Sequence, residues 1–224
     1  MEEIIFLILI FLSLFTIYVF YKLFEKKGLI YSAIILDLLA FVLSFKIASI
    51  FKTASSIGIV PLVASFTSLY LIFTKKYEKD IKNIIVLTLF SNIALSIFLV
   101  IMNYLVPSIT ETISINIEGT FGYNYKLLLL YPLIICLSQY LAYKIVNLVT
   151  QIQNNMFLSV TVSYIIISVL LTIIFYLIGY INIMSFRDSL YVGISTYIIG
   201  LIVTLINIAF IYIIIKRKVL KWLI

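Results

Sequence analysis

The stretch LYVGISTYIIGLIVTLINIAFIYIII, residues 190–215, decides the fold class. It carries no charged side chain, and a helix needs only about 20 apolar residues to cross the hydrocarbon of a bilayer. It reads as a spanning helix. Six more apolar runs precede it, at 4–21, 29–51, 56–73, 84–106, 127–149 and 156–184. The chain has 224 residues, 64% hydrophobic and 11% charged, and its mean hydropathy is +1.25. That composition leaves no room for a soluble catalytic domain between the runs. The expected fold is all-α, a polytopic transmembrane helix bundle of about seven spans. The second run is the least regular, because Asp37 and Lys46 interrupt it, and the segment after Lys46 reads as a short re-entrant or interfacial piece.

The first run begins Met1-Glu2-Glu3 rather than with basic residues, is longer than a signal-peptide core, and is followed by no small-x-small site. It is expected to stay as a helix. Polar punctuation separates the runs at 22–28, 75–82, 107–125, 151–155 and 185–189. Of the 16 Lys and Arg residues, Lys22, Lys26, Lys27, Lys75, Lys76, Lys79, Lys82, Lys144, Lys216, Arg217, Lys218 and Lys221 fall on one side. Lys46, Lys52, Lys126 and Arg187 fall near the other. Cytoplasmic loops collect positive charge, so the expectation is a multi-pass protein of the cell membrane with its N-terminus outside and its C-terminus in the cytoplasm. The net charge of +7 then reflects topology and contact with anionic lipid headgroups, and no nucleic-acid partner is expected. The basic end with Trp222 reads as an interfacial anchor.

With no His and one Cys, the chain lacks the usual ligands of a metal site and the base of a Ser/His or Cys/His pair. An intramembrane aspartyl protease would need two facing acids, and Asp37 is the only acid within the apolar runs. No catalytic residue, metal or cofactor is expected. The same shortage leaves direct proton coupling little to run on. An ionisable group inside a span is a functional candidate by default. Asp37 and Lys46 lie on opposite faces of a helix and about 13 Å apart along it, so each needs a partner from another helix, or water. The plainer readings are a hydrated Asp37 near the interface and a Lys46 that snorkels outward. Asn92 and Gln139 carry amides too expensive to face lipid, so both should point into the bundle, with interhelical hydrogen bonding as the plainer role. Ser and Thr in the runs can bond to the preceding turn of backbone. Pro61 and Pro132 each free a carbonyl inside a span.

The order of these features resembles a known family. Phe45-Lys46-Ile47-Ala48-Ser49-Ile50-Phe51 is followed by Gly58, then Pro61 and, six and seven residues on, Thr67-Ser68, then the basic Lys75-Lys76-Tyr77-Glu78-Lys79; Ser138-Gln139-Tyr140-Leu141-Ala142 and Ser168 to Thr172 come later. From Gly28 onward this is similar to the queuosine-precursor transporter family, six-helix membrane proteins once called vitamin-uptake-like transporters. The resemblance implies an added N-terminal helix with its cytoplasmic turn, residues 1–27, and a six-helix transporter-like domain, 28–224. It also implies uptake of a queuosine precursor or a related nucleobase- or vitamin-like compound. The chain is a divergent member by this reading: Ser68, Ala142 and Thr172 stand where the family has Asp, and Val169 where it has a second Gln. Carboxylates there would suit the donor-rich edge of a deazapurine, so without them the expected solute lacks that edge.

The leading expectation is therefore a small-solute transporter whose polar cavity is lined by Lys46, Thr67, Ser68, Asn92, Ser138 and Gln139, with Asp37 as a further substrate-binding candidate. Its partners would be the lipid bilayer, the solute, and either a second copy of the chain or an energising subunit. The alternative is a non-catalytic solute-binding or assembly subunit of a larger membrane complex, docking through the basic stretch 75–82.

Overall fold

The computed structural model describes residues 2–73, 78–104, 125–153, 155–180 and 183–216. The stretches 74–77 and 105–124 and the basic cluster from 217 onward lie outside the described residues. Among the described residues six helices make the fold: α1 (Glu2–Ser44), α2 (Ile59–Phe73), α3 (Glu78–Tyr104), α4 (Tyr125–Gln153), α5, and α6 (Phe186–Lys216). α5 runs from Met156–Val169 through a π-helical turn, Leu170–Ile174, into Phe175–Gly179. All except α2 are long and apolar enough to cross a membrane. Large apolar side chains such as Phe11, Phe90, Phe98 and Ile152 cover the outside, while Ser, Thr and Asn side chains are buried inside. This is the distribution of a helical membrane bundle.

α1 folds back on itself. At Glu25 the backbone takes φ 51° and ψ −128°, a region non-glycine residues rarely enter. A Cβ at Gly28 would sit 1.9 Å from the carbonyl oxygen of Phe20, two positions that a straight helix would hold about 12 Å apart. Only glycine permits this contact. The two arms therefore run antiparallel, and Phe6 near the start of the first meets Phe51 beyond the end of the second, ring centroids 6.1 Å apart. The polar break expected at 22–28 is this turn, and an ion pair between Lys26 and Asp80 ties it to α3.

The second arm stops at Ser44, short of the expected 51. A two-stranded antiparallel hairpin follows, β1 (Ile47–Ile50) and β2 (Thr53–Ser56), paired from Ile47 with Ser56 to Ile50 with Thr53. Its turn residues Phe51 and Lys52 have φ 48° and 62°, the double left-handed geometry of a tight hairpin turn. The re-entrant piece expected after Lys46 is thus extended rather than helical. A hairpin satisfies part of its backbone internally and can lie at depth where protein covers it. Here Ile50, Ser55 and Ser56 are buried, and the Ser56 N–H donates to Thr196 Oγ1 of α6 at 3.1 Å.

The hairpin leads into α2, whose 15 residues are all buried. A helix apolar around its whole circumference belongs at the centre of a bundle. At about 22 Å it is shorter than the hydrocarbon thickness, and the hairpin occupies the remaining depth. Small residues let α2 pack directly on the second arm of α1. Ser65 Oγ donates to the Ala33 carbonyl at 2.9 Å, Ser32 and Ser68 share a hydrogen bond of 3.0 Å, and a Cβ at Gly58 would fall 2.6 Å from the Ala40 oxygen.

The two prolines have different settings. Pro61 lies in the first turn of α2, where an N–H would have no helical acceptor, so it breaks nothing. Pro132 is well inside α4 and leaves the Leu128 carbonyl without its helical donor. Ser96 of α3 supplies one, its Oγ 2.6 Å from that oxygen.

Candidate functional site

The bundle interior holds three groups of polar side chains. Midway through the second arm of α1, about 16 Å along the helix from Lys26, Asp37 is fully buried. Asn92 Nδ2 of α3 donates to its Oδ2 at 2.5 Å. The Tyr131 hydroxyl of α4 lies 3.5 Å from Oδ1 and 3.3 Å from the Asp37 carbonyl oxygen. Tyr131 is held by stacking on Phe41, centroids 4.4 Å apart at 10°. The hydrated, interfacial reading of Asp37 gives way to a carboxyl group embedded between three helices.

Toward the basic end, α2 and α5 are joined through hydroxyls. Thr67 Oγ1 and Tyr164 Oη are 2.6 Å apart, and Tyr70 Oη and Ser163 Oγ 2.7 Å. Ser163 also reaches the Ala142 carbonyl of α4 at 3.4 Å. Toward the hairpin end lies a cavity of about 20 Å³, bordered by Ser44, Ser56, Tyr131, Tyr176 and Thr196 among apolar neighbours. That is room for one water molecule. Tyr176 Oη donates to the Ser44 carbonyl at 3.1 Å, and the π-helical turn borders the same cavity through Leu171. Such turns are frequent at functional sites.

Several buried polar atoms have no hydrogen-bond partner among the described residues: Thr88 Oγ1 and Asn92 Oδ1 on α3, Ser138 Oγ and both amide atoms of Gln139 on α4, and the amide of Asn207 on α6. α3 and α4 are antiparallel neighbours pinned by the Ser96–Leu128 bond. Counting from that pin toward the basic end, Thr88 lies about 12 Å away, and Ser138 and Gln139 about 15 to 16 Å. Thr88, Ser138 and Gln139 thus share one depth, with Asn92 and Asp37 in the layer above.

The seven side chains expected from the sequence are distributed as follows. Asp37 and Asn92 are bonded to each other. Thr67 and Ser68 are buried in hydrogen-bonded pairs on α2. Ser138 and Gln139 are fully buried and unpartnered. Lys46 stands apart, exposed beside the hairpin, so it lines none of these groups. Tyr131, Tyr164, Tyr176 and Thr88 escaped the sequence reading. Aromatic residues are so frequent in this chain, with 17 Tyr and 17 Phe, that a single tyrosine carries little signal. The hint available was Tyr131 immediately before the only proline of its run.

On the outside of the bundle, α3 and α4 part to form a groove of about 740 Å³ bordered by Ser96, Ile97, Ile101, Leu129, Pro132 and Leu133. Among the described residues no group of three or more His, Cys, Asp or Glu is placed to hold a metal ion. Among the same residues, five helices long and apolar enough to span, around a polar interior, are the features of a helical membrane protein. Compared with known proteins, the chain matches no family model, no curated protein and no solved structure.

Proposed function

We propose that this protein is an integral membrane transporter of a small polar solute. The observation that carries the reading is the set of unpartnered polar atoms on Thr88, Ser138 and Gln139, with that of Asn92 in the layer above. A buried amide or hydroxyl without a partner loses about 1–3 kcal/mol by protein mutational scales, and hydrocarbon offers no compensation. Four such side chains on two adjoining helices support a site for a ligand with donors and acceptors of its own, one that opens when the helices around it part. Gln139 presents both an N–H pair and a carbonyl oxygen, which suits the lactam edge of a purine-like base. On the resemblance described above, a queuosine precursor or related nucleobase-like compound is the first solute to try. Access to the layer from alternate sides would come from rearrangement of helices around it, and the basic end of the bundle is assigned to the cytoplasm.

The test is uptake of labelled queuosine precursors, alongside purine and pyrimidine bases, into cells that lack their own synthesis and transport of them. Uptake that requires the chain and is abolished by Gln139→Leu supports the proposal. Equal uptake with and without the chain for every compound rejects it for this solute class.

A second reading has its own observation. The groove between α3 and α4 has the form of a seat for a helix of another membrane protein, as an assembly subunit would need. A complex of defined larger mass in mild detergent, broken by Leu133→Trp in the groove, would favour that reading over an independent carrier.

A further inference from the structure

Asp37 is a carboxyl group at mid-depth with no Lys or Arg paired to it among the described residues. The groups that face it are few. α3 offers the Asn92 amide and α4 the Tyr131 hydroxyl. The first arm of α1 contains no ionisable residue between Glu3 and Tyr18. The ionisable residue of α2, Tyr70, is bonded to Ser163, and Tyr176 of α5 is bonded to the Ser44 carbonyl. A carboxylate so placed needs a positive charge brought to it.

We infer that Asp37 is a binding site for a proton, reached from the hairpin end of the bundle through the water-sized cavity and Tyr131. Tyr131 touches both places: it borders the cavity and its hydroxyl is 3.5 Å from Asp37 Oδ1. The step balances simply. With a hydronium ion hydrogen-bonded to the Tyr131 hydroxyl, a proton passes to the Tyr131 oxygen as the hydroxyl hydrogen leaves for Oδ1, the farther of its two Asp37 neighbours, the backbone carbonyl being the nearer, and water and a neutral carboxylic acid remain.

Asn92 is built to hold both states. Its Nδ2 donates to Oδ2, which suits the carboxylate, while its Oδ1 has no partner. Once the proton sits on Asp37 Oδ1, Oδ2 is the carbonyl oxygen of the acid and still accepts from Nδ2, so the amide keeps this hydrogen bond in both states without moving.

This inference deepens the transport reading by naming a proton as co-substrate, but its test needs no solute. The full chain is produced with carboxyl-labelled ¹³C-aspartate, reconstituted in vesicles, and followed by infrared difference spectroscopy as the pH is lowered. Asp37, Asp80 and Asp188 are the aspartates of the chain. The expected result is a carboxylic-acid C=O band that titrates within the range where the protein stays folded, shifts with the label, survives Asp80→Asn and Asp188→Asn, and is lost in Asp37→Asn. Tyr131→Phe should slow its appearance after a pH jump by about a hundredfold. The labelled band is read on the unaltered chain, so the test stands even if Asp37→Asn does not fold. Absence of the band, a band that does not titrate, or a titration displaced by sodium but not choline chloride would each overturn the proton site. Failure here leaves the uptake result untouched, and failure of uptake leaves the band.

Discussion

The hydroxyl of Ser96 lies 2.6 Å from the carbonyl oxygen of Leu128, the acceptor that Pro132 leaves without its helical donor. The same hydroxyl is 2.8 Å from the Asn92 carbonyl of its own helix, so its one hydrogen is shared between two helices. This contact fixes the register of α3 against α4, and through it the depth at which Asn92 meets Asp37. Ser96→Ala should destabilise the bundle by about 1–3 kcal/mol, because a buried carbonyl is left unpaired. Pro132→Ala in the same chain restores an N–H to Leu128 and should recover part of that loss. Thermal unfolding of the two single variants and the double variant measures the coupling. Additive losses would show that Ser96 does not serve the proline.

Gly28 is where the two arms of α1 meet. Its Cβ position is 1.9 Å from one backbone oxygen and 2.9 Å from the Tyr21 nitrogen, and backbone cannot rotate away as a side chain would. Gly28→Ala should force the arms apart and sharply reduce the yield of folded protein in detergent, whereas Lys27→Ala next to it should not. Equal yields for both variants would mean that the turn at Glu25 is looser than described.

Much of the bundle could be read from hydropathy, because lipid leaves only closed helical solutions for long apolar runs. The fold-back of α1 was visible as Lys22 to Gly28, and the inward direction of Asn92 and Gln139 followed from the expense of placing an amide in lipid. The hairpin at 47–56 was not legible as strand. Ile-Ala-Ser-Ile is short, and its turn is made by Phe51 and Lys52, where Asn-Gly would have announced it. The pairing of Asp37 with Asn92 and Tyr131 was equally hidden, since it depends on the register of three helices. The expected common cavity is instead divided among hydrogen-bonded pairs, because a hydroxyl that finds a partner across a helix contact is no longer free to face a solute.

Ser68 illustrates that division. It stands where the resembled family has Asp, yet its oxygen is bonded to Ser32 within the close contact of α1 and α2. Ser68→Asp would put an unpaired charge there, and burying one costs several kcal/mol. The expected outcome is loss of thermal stability without gain of deazaguanine uptake. Uptake gained at unchanged stability would show that Ser68 faces a solute after all.

Orientation rests on the distribution of basic residues. Reporter fusions after Lys82 and after Lys221 should report cytoplasm, and a fusion between positions 112 and 124 should report the exterior. A cytoplasmic signal from the latter would invert the topology.

The central claim is that the unpartnered layer around Gln139 binds a polar solute. A ligand that binds only the folded chain stabilises it by about 2.7 kcal/mol at a hundred times its dissociation constant. The decisive measurement is therefore a thermal-shift titration of the purified chain against nucleobases, deazapurines and related lactams, run in parallel on Gln139→Leu. The account predicts a saturable rise in melting temperature for at least one compound that disappears in Gln139→Leu while that variant's own unfolding stays cooperative. No shift with any compound, or the same shift in both proteins, would contradict it.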